Sequence, residues 1–220
     1  MKKVVAFVPL KLNNERLPGK NTKKFSDGKP LVECILSTLK KVNNIDEIYV
    51  YCSDARIQDY LPEGVNYLTR SPQLDLSSTK INEVLSAFAS DRPADIYVLA
   101  HATAPFIKAE SIETGVQKVL SGEHDSALTV HKMQEFMWRD GKPMNYELSA
   151  IPRTQDLDPI FVETTGLYIY TEQLINQRNA RIGDSPYLVE VSKIESIDIN
   201  EPVDFEIANA VYMQGLTKDK

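Results

Sequence analysis

Val4-Val5-Ala6-Phe7-Val8-Pro9-Leu10 is a short apolar run rich in β-branched residues. Lys11-Leu12-Asn13-Asn14-Glu15-Arg16-Leu17-Pro18-Gly19-Lys20-Asn21 follows it as a polar loop with several cations. Such a run suits a strand buried on both faces of a parallel sheet. The alternation continues outward from it. Residues 30–42 place Leu31, Ile35, Leu36 and Leu39 at helical spacing, and 48–52 reads as a second strand. A short helix is expected near 55–60 and a strand at 65–68. Residues 79–89 put Ile81, Val84, Leu85 and Phe88 on one helical face. Residues 96–100 are strand-like, 109–120 helical with Ile112, Val116, Val119 and Leu120 apolar, and 127–130 strand-like again. This order predicts an α/β fold with a mostly parallel, mixed sheet flanked by helices on both faces.

After His131 the texture changes. Phe136-Met137-Trp138 and then Arg139-Asp140-Gly141-Lys142-Pro143 read as a strand and a turn. The stretch near 132–160 is therefore expected to leave the main sheet. Residues 166–170 return as a strand, and 203–213 form a final helix. The chain has 220 residues, 42% of them hydrophobic and 25% charged, which is the balance of a soluble globular protein. A net charge of −6 argues against a nucleic-acid partner. No apolar run approaches the roughly 20 residues of a membrane helix. The first residues imitate a signal peptide, but charged Lys11 and Glu15 follow with no small-residue cleavage site, so a cytoplasmic location is expected. Cys34 and Cys52 give no disulfide framework, and no Cys/His cluster has zinc spacing.

In open α/β sheets, ligands bind beyond the carboxyl ends of the strands. The loop after the first strand is placed there, and its cations suit a polyphosphate. Gly19 lets backbone approach a ligand, while Arg16 and Lys20 supply charge. The glycine spacing of a P-loop is absent. Read from its chemistry alone, the loop is equally a solvated surface segment.

Further segments give it a context. Arg16-Leu17-Pro18-Gly19-Lys20-Asn21, Arg70-Ser71-Pro72 with Leu74, Ser77-Ser78-Thr79, and His101-Ala102-Thr103-Ala104-Pro105-Phe106 occur in that order. Arg153-Thr154-Gln155, Glu163-Thr164-Thr165-Gly166-Leu167-Tyr168 and Ser196-Ile197-Asp198-Ile199-Asn200 follow. Together they resemble the cytidylyltransferases that make CMP-activated acidic sugars, the CMP-N-acylneuraminate and CMP-3-deoxy-octulosonate synthetases. Each motif is short; the shared order carries the resemblance, which covers nearly the whole chain. Three positions depart from the acylneuraminate pattern: Lys11 stands for Arg, Glu15 for Lys, and Asn200 for a second metal-binding Asp.

The resemblance implies a Rossmann-like nucleotidyltransferase fold, a single domain over residues 1–220 with a dimerisation or lid excursion near 132–160, and a homodimer. It implies a Mg²⁺-dependent transfer of CMP from CTP to an acidic sugar, releasing pyrophosphate. Lys20 and Arg16 would grip the triphosphate as catalytic cations. Leu10, Lys11, Asn21, Arg70, Ser78, Thr79 and His101 would line the nucleotide site. Gln155, Glu163, Thr165 and Tyr168 would line the acceptor pocket, and Asp198 with Asn200 would hold the metal.

Several residues keep two readings. Asn21 touches ligand or caps local structure, Thr79 touches ligand or caps the next helix, and His101 is a site residue or a satisfied loop histidine. Glu163 is unexpected in a pocket for an acid; it either selects an amine- or hydroxyl-bearing acceptor or points away. Asp204 suits the first turn of the last helix. A phosphonate or sugar phosphate is an alternative acceptor, and a non-catalytic nucleotide-binding homologue an alternative role. A glycosyltransferase is disfavoured, since no Asp-x-Asp follows a central strand.

Overall fold

The computed structural model describes residues 2–217. Met1, Lys218, Asp219 and Lys220 of the expected domain span lie outside the described residues. Nine strands are placed: β1 (Val4–Pro9), β2 (Glu47–Cys52), β3 (Asn66–Thr69), β4 (Ile96–Ala100), β5 (Ser126–Met133), β6 (Trp138–Arg139), β7 (Lys142–Pro143), β8 (Ile160–Thr171) and β9 (Pro186–Glu190). The α-helices are α1 (Leu31–Leu39), α2 (Ile81–Asp91), α3 (Ala109–Leu120), α4 (Glu172–Arg178) and α5 (Pro202–Met213).

The main sheet has seven strands in the order β3-β2-β1-β4-β8-β5-β9. β1 is buried along its length because its alternate residues feed two cores. Val4, Ala6 and Val8 pack with α1 and α3, while Val5 and Phe7 pack with α2 and α4. That two-residue period is the strand's own. Phe7 stacks on Phe88 of α2 with ring centroids 3.9 Å apart. A third cluster joins Leu17 and Phe25 of the first loop to Phe106 and to Phe205 of α5.

The mixed, mostly parallel sheet is as expected, with one refinement. Four of the six neighbour pairings are parallel; β8 runs antiparallel to both β4 and β5. β8 is also longer than residues 166–170: its first half opens with Ile160, Phe161 and Val162, but Glu163, Thr164 and Thr165 interrupt the apolar run and most of this half is exposed. Two elements were not anticipated. α4 has only seven residues, and β9 is an edge strand buried only at Val189. The chain leaves the sheet after Met133 and rejoins it at Ile160, close to the expected excursion. The strand expected at 136–138 shrinks to a two-residue pairing across Asp140 and Gly141, both at positive φ as a tight hairpin turn requires.

Two features position the site. The chain runs from β1 outward through β2 and β3, then returns to β4 on the other side of β1. The loops after β1 and β4 therefore diverge and open a crevice at the carboxyl edge. Second, β8 bulges where it passes that edge. Its register against β5 shifts between Leu128 and Val130, and Thr165 takes a φ of 56°. A left-handed β-branched residue is a strained outlier. Gly166 beside it donates no side chain because a Cβ there would stand 2.6 Å from both Ala104 Cβ and Ile107 Cδ1. Ile107 can rotate away, but the Ala104 methyl cannot. Gly166→Ala is thus expected to destabilise the protein by about 1–3 kcal/mol through overpacking. Urea denaturation checks this, and a change below a few tenths of a kcal/mol would mean the bulge relaxes freely.

Candidate active site

The first loop is built by its own polar groups. Gly19, at φ 68°, turns the chain into a short 3-10 turn over Lys20–Thr22. The Asn21 side-chain amide donates to the Lys11 carbonyl at 2.8 Å. Asn21 therefore braces the loop as well as lining the cleft described below. The loop docks onto the segment before α5. Lys20 Nζ donates to the Ile199 carbonyl at 2.9 Å, and Arg16 Nη2 donates to Asn200 Oδ1 at 3.0 Å. Asn200 Nδ2 in turn donates to Asp198 Oδ2 at 2.7 Å. Asp204 fixes this segment by accepting the backbone N–H groups of Asn200 and Glu201, the role expected at the first turn of α5. The Ile199 N–H donates to the Thr103 carbonyl, tying in the loop after β4. Burial lowers the Lys20 pKa below its ordinary value, the Asp198 charge opposes that shift, and Arg16 adds to it.

A cleft of about 350 Å³ lies over the β1 and β4 ends. It brings together Leu10, Lys11, Lys20, Asn21, Arg70, Thr79 and His101. A second hollow shares Lys11, Asn14, Lys20 and Ser77 with it and adds Glu15, Arg16, Leu17 and Asn200, so three cations and one carboxylate line it. Ser78 is exposed and lines neither hollow; its neighbours Ser77 and Thr79 line the cleft. The alternative reading of Thr79 as a helix cap is corrected. Lys80 holds the cap position of α2, Glu83 accepts its N–H, and the Thr79 hydroxyl donates to the Gln73 carbonyl.

Arg70 is buried against Asp75, whose Oδ1 accepts from Arg70 Nη2 at 2.6 Å and Nε at 3.1 Å. Ser53 donates to the other carboxylate oxygen, and Lys11 Nζ reaches the Asp75 carbonyl at 2.8 Å. Asp75 was not anticipated; the cue available in the sequence is an acid five residues after an arginine expected in the base site. Two buried polar atoms of cleft residues lack a hydrogen-bond partner, His101 Nε2 and Asn14 Oδ1. Buried groups of this kind are normally paired, so such atoms mark where a ligand would bond. Burial is the main cause that brings the His101 pKa down to about 4, with Arg181 and Lys20 adding to the shift and Asp198 opposing it.

Beyond His101 lie the expected acceptor residues of β8. Thr165 Oγ1 stands 3.5 Å from Asp198 Oδ2. The Tyr168 hydroxyl donates to the Glu163 carboxylate, and the Arg181 guanidinium lies over the Tyr168 ring. Gln155 is apart from this group in its contacts. It is exposed in the 3-10 turn Thr154–Asp156 of the excursion, and its carbonyl accepts from Gln134.

The implied Mg²⁺ can be tested against these donors. A hard ion takes oxygen ligands and often only one or two protein carboxylates. Asp198 fits: its Oδ2 is engaged by Asn200, and no hydrogen bond reaches its Oδ1 among the described residues. Asn200 fits less well. Both ends of its amide already bond protein, so it acts as a bridge from Arg16 to Asp198. No group of three or more His, Cys, Asp or Glu suited to a metal occurs among the described residues.

Comparison with known proteins places this geometry in context. A family model described as cytidylyltransferase matches residues 5–192. N-acylneuraminate cytidylyltransferase A of Danio rerio is 23% identical over 93% of the chain, and the chain spans 50% of that relative's length. 3-Deoxy-manno-octulosonate cytidylyltransferase 2 of Hydrogenovibrio crunogenus is 21% identical over 89% of the chain and 84% of its own length. A solved structure of CMP:2-keto-3-deoxy-manno-octonic acid synthetase complexed with CTP superposes with a TM-score of 0.70 at 17% identity, over 97% of this chain and 99% of that one.

His101 generates a prediction about pH. Its folded pKa, about 4, lies below the ordinary 6.5. Between those values the unfolded chain binds the proton more readily, so stability is expected to fall as pH drops from about 6.5 towards about 4. His101→Gln should flatten that part of the curve in urea denaturation. An identical slope in the variant would show that other groups carry it.

Proposed function

The chain belongs to the cytidylyltransferase family, and from that premise we propose that it transfers CMP from CTP to a small acidic sugar and releases pyrophosphate. The observation that carries this reading is the pair of joined hollows. One end offers the buried Arg70–Asp75 pair, and the other gathers Lys11, Arg16 and Lys20. Arg70 offers donors and Asp75 acceptors to a pyrimidine edge. The 4-amino group of cytosine suits an acceptor there, while uracil would leave it opposed by a carbonyl. The cations suit a triphosphate.

In this account an acceptor oxygen attacks the α-phosphorus in line. Negative charge grows on the departing pyrophosphate, and Lys20 and Arg16 stabilise it where it forms. The buried Lys20 is fixed in advance by the Ile199 carbonyl, and the exposed Arg16 is directed to the same hollow by its bond to Asn200. The neutral His101, with its unpartnered Nε2, lies between the nucleotide cleft and β8, where it can bond either reactant. Asp198 would hold Mg²⁺, which supplies further neutralisation of phosphate oxygens when bound. The chemistry is mainly positioning and electrostatics, so it requires no nucleophilic side chain.

The acceptor we propose is a 3-deoxy-2-keto acid of the acylneuraminate or octulosonate kind, as the relatives' names indicate for those proteins. A homodimer belongs to the same reading. Its support is the exposed apolar surface of the excursion, with Trp138, Leu148 and Ile151 each more than half exposed. So does a cytoplasmic location, which suits the free, buried Cys34 and Cys52. No helix among the described residues is long and apolar enough to cross a membrane.

Pyrophosphate release tests the reading. CTP is expected to exceed UTP, ATP and GTP by at least about tenfold with a keto-acid sugar as acceptor. Preference for another nucleotide would place the chain in a different nucleotidyltransferase branch. Lys20→Ala should lower turnover about 100-fold, on the order of 3 kcal/mol. Asp198→Asn should nearly abolish it, and activity should vanish in chelator. Near-normal kinetics in Lys20→Ala would remove the first loop from the reaction, and full activity in Asp198→Asn would remove the metal assignment.

A further inference from the structure

Arg181 comes from the loop between α4 and β9, and that loop is unusually well fastened. The Asp125 carboxylate accepts the N–H groups of Asp184 at 2.8 Å and Ser185 at 3.1 Å. Ser126 Oγ accepts the Gly183 N–H at 3.0 Å, and Arg178 forms an ion pair with Asp184. Asn179 closes α4 in the left-handed conformation and accepts from Ser86 through its own side chain. This frame delivers one half-buried guanidinium. Its Cζ stands 3.6 Å from the Tyr168 ring centroid, and its Nη2 is 3.8 Å from Glu163 Oε1.

That last distance is an ion-pair contact, too long for a hydrogen bond. The same Glu163 oxygen already accepts the Tyr168 hydroxyl. Among the described residues no hydrogen bond reaches the Arg181 guanidinium. A planar fork of N–H donors is therefore held over an aromatic ring with none of its donors in a hydrogen bond among the described residues. That is the geometry for taking a carboxylate with two parallel bonds. The location fits. The Tyr168 ring meets the His101 ring edge-on at 6.5 Å, His101 lines the nucleotide cleft, and Asp198 faces Thr165 three residues before Tyr168.

We propose that Arg181 is the specificity residue that receives the acceptor's carboxylate, with Glu163 standing in for that carboxylate in the free protein. The inference rests on the cytidylyltransferase reading and names the residue that makes its acceptor an acid. It also explains Glu163. A carboxylate meant to select an amine would not face an arginine and accept a tyrosine hydroxyl. Here it balances Arg181 until an acid arrives.

The test is calorimetric binding to the full chain with CTP present and divalent ions removed. The probes are N-acetylneuraminate and 3-deoxy-manno-octulosonate, each beside its primary carboxamide. At least one acid should bind the wild type tenfold or more tighter than its amide. Arg181→Met, which keeps an apolar stem on Tyr168, should erase that difference by weakening the acid more than the amide, and leave CTP affinity within about twofold. Arg181→Lys should restore part of it. Glu163→Gln removes the competing charge without touching the arginine and should tighten acid binding at least threefold. Acid and amide bound alike by the wild type, no binding of either acid, an acid preference that survives in Arg181→Met, or weaker acid binding in Glu163→Gln would each overturn the assignment. The CTP titration is separate: a wild type that does not bind CTP overturns the cytidylyltransferase reading itself.

Discussion

The hydrogen bond from the Lys20 ammonium to the Ile199 carbonyl joins residues 179 positions apart and is the contact on which the site depends. It closes the loop after β1 onto the segment that leads into α5. An ammonium taken out of water is costly unless it is bonded and its charge balanced. The Ile199 carbonyl supplies the bond, and Asp198 supplies the opposing charge. Arg16 then docks on Asn200, which holds Asp198 in turn. Two like charges thus sit near each other before any ligand arrives, and the folding of the chain sustains their closeness. Preorganised charge of this kind is more effective in a reaction than charge that must be gathered during it.

Much of the fold is legible along the chain because its strands are buried on two faces. Val4 to Val8 must be apolar at every position, and β4 likewise, so both read as continuous runs between helices with one apolar stripe. The middle of the sheet is harder. β8 is wedged antiparallel between β4 and β5, but Glu163, Thr164 and Thr165 break its apolar run beside a bulge, so only residues 166–170 read as a strand. α4 is too short for its periodicity to register, and β9 is an edge strand with one buried residue.

The site divides the same way. The loop of Arg16, Lys20 and Asn21 is dense in charge and glycine, and it stands out locally. Arg70 is recognisable, but its partner Asp75 becomes a site residue only when a 3-10 turn folds it back beneath the guanidinium. Arg181 carries no local motif at all; it reaches Tyr168 through a loop held by Asp125, more than fifty residues away. Asn200 shows the opposite case. The resemblance pairs it with Asp198 as a metal ligand, while the structure turns its amide into a bridge between that acid and Arg16. Thr165 belongs to neither group. Its strained backbone conformation aims a hydroxyl toward Asp198, as bulges beside reaction centres often do.

In the proposed reaction one crevice, closed by Lys20 and Ile199, holds a whole CTP molecule. A crystal structure of the protein with a non-hydrolysable CTP analogue measures it most directly. The cytosine edge is expected against Arg70 and Asp75, the triphosphate between Arg16 and Lys20, and the α-phosphorus facing Asp198 and His101. A nucleotide bound outside this crevice, or one whose phosphates point away from Arg16 and Lys20, would contradict it.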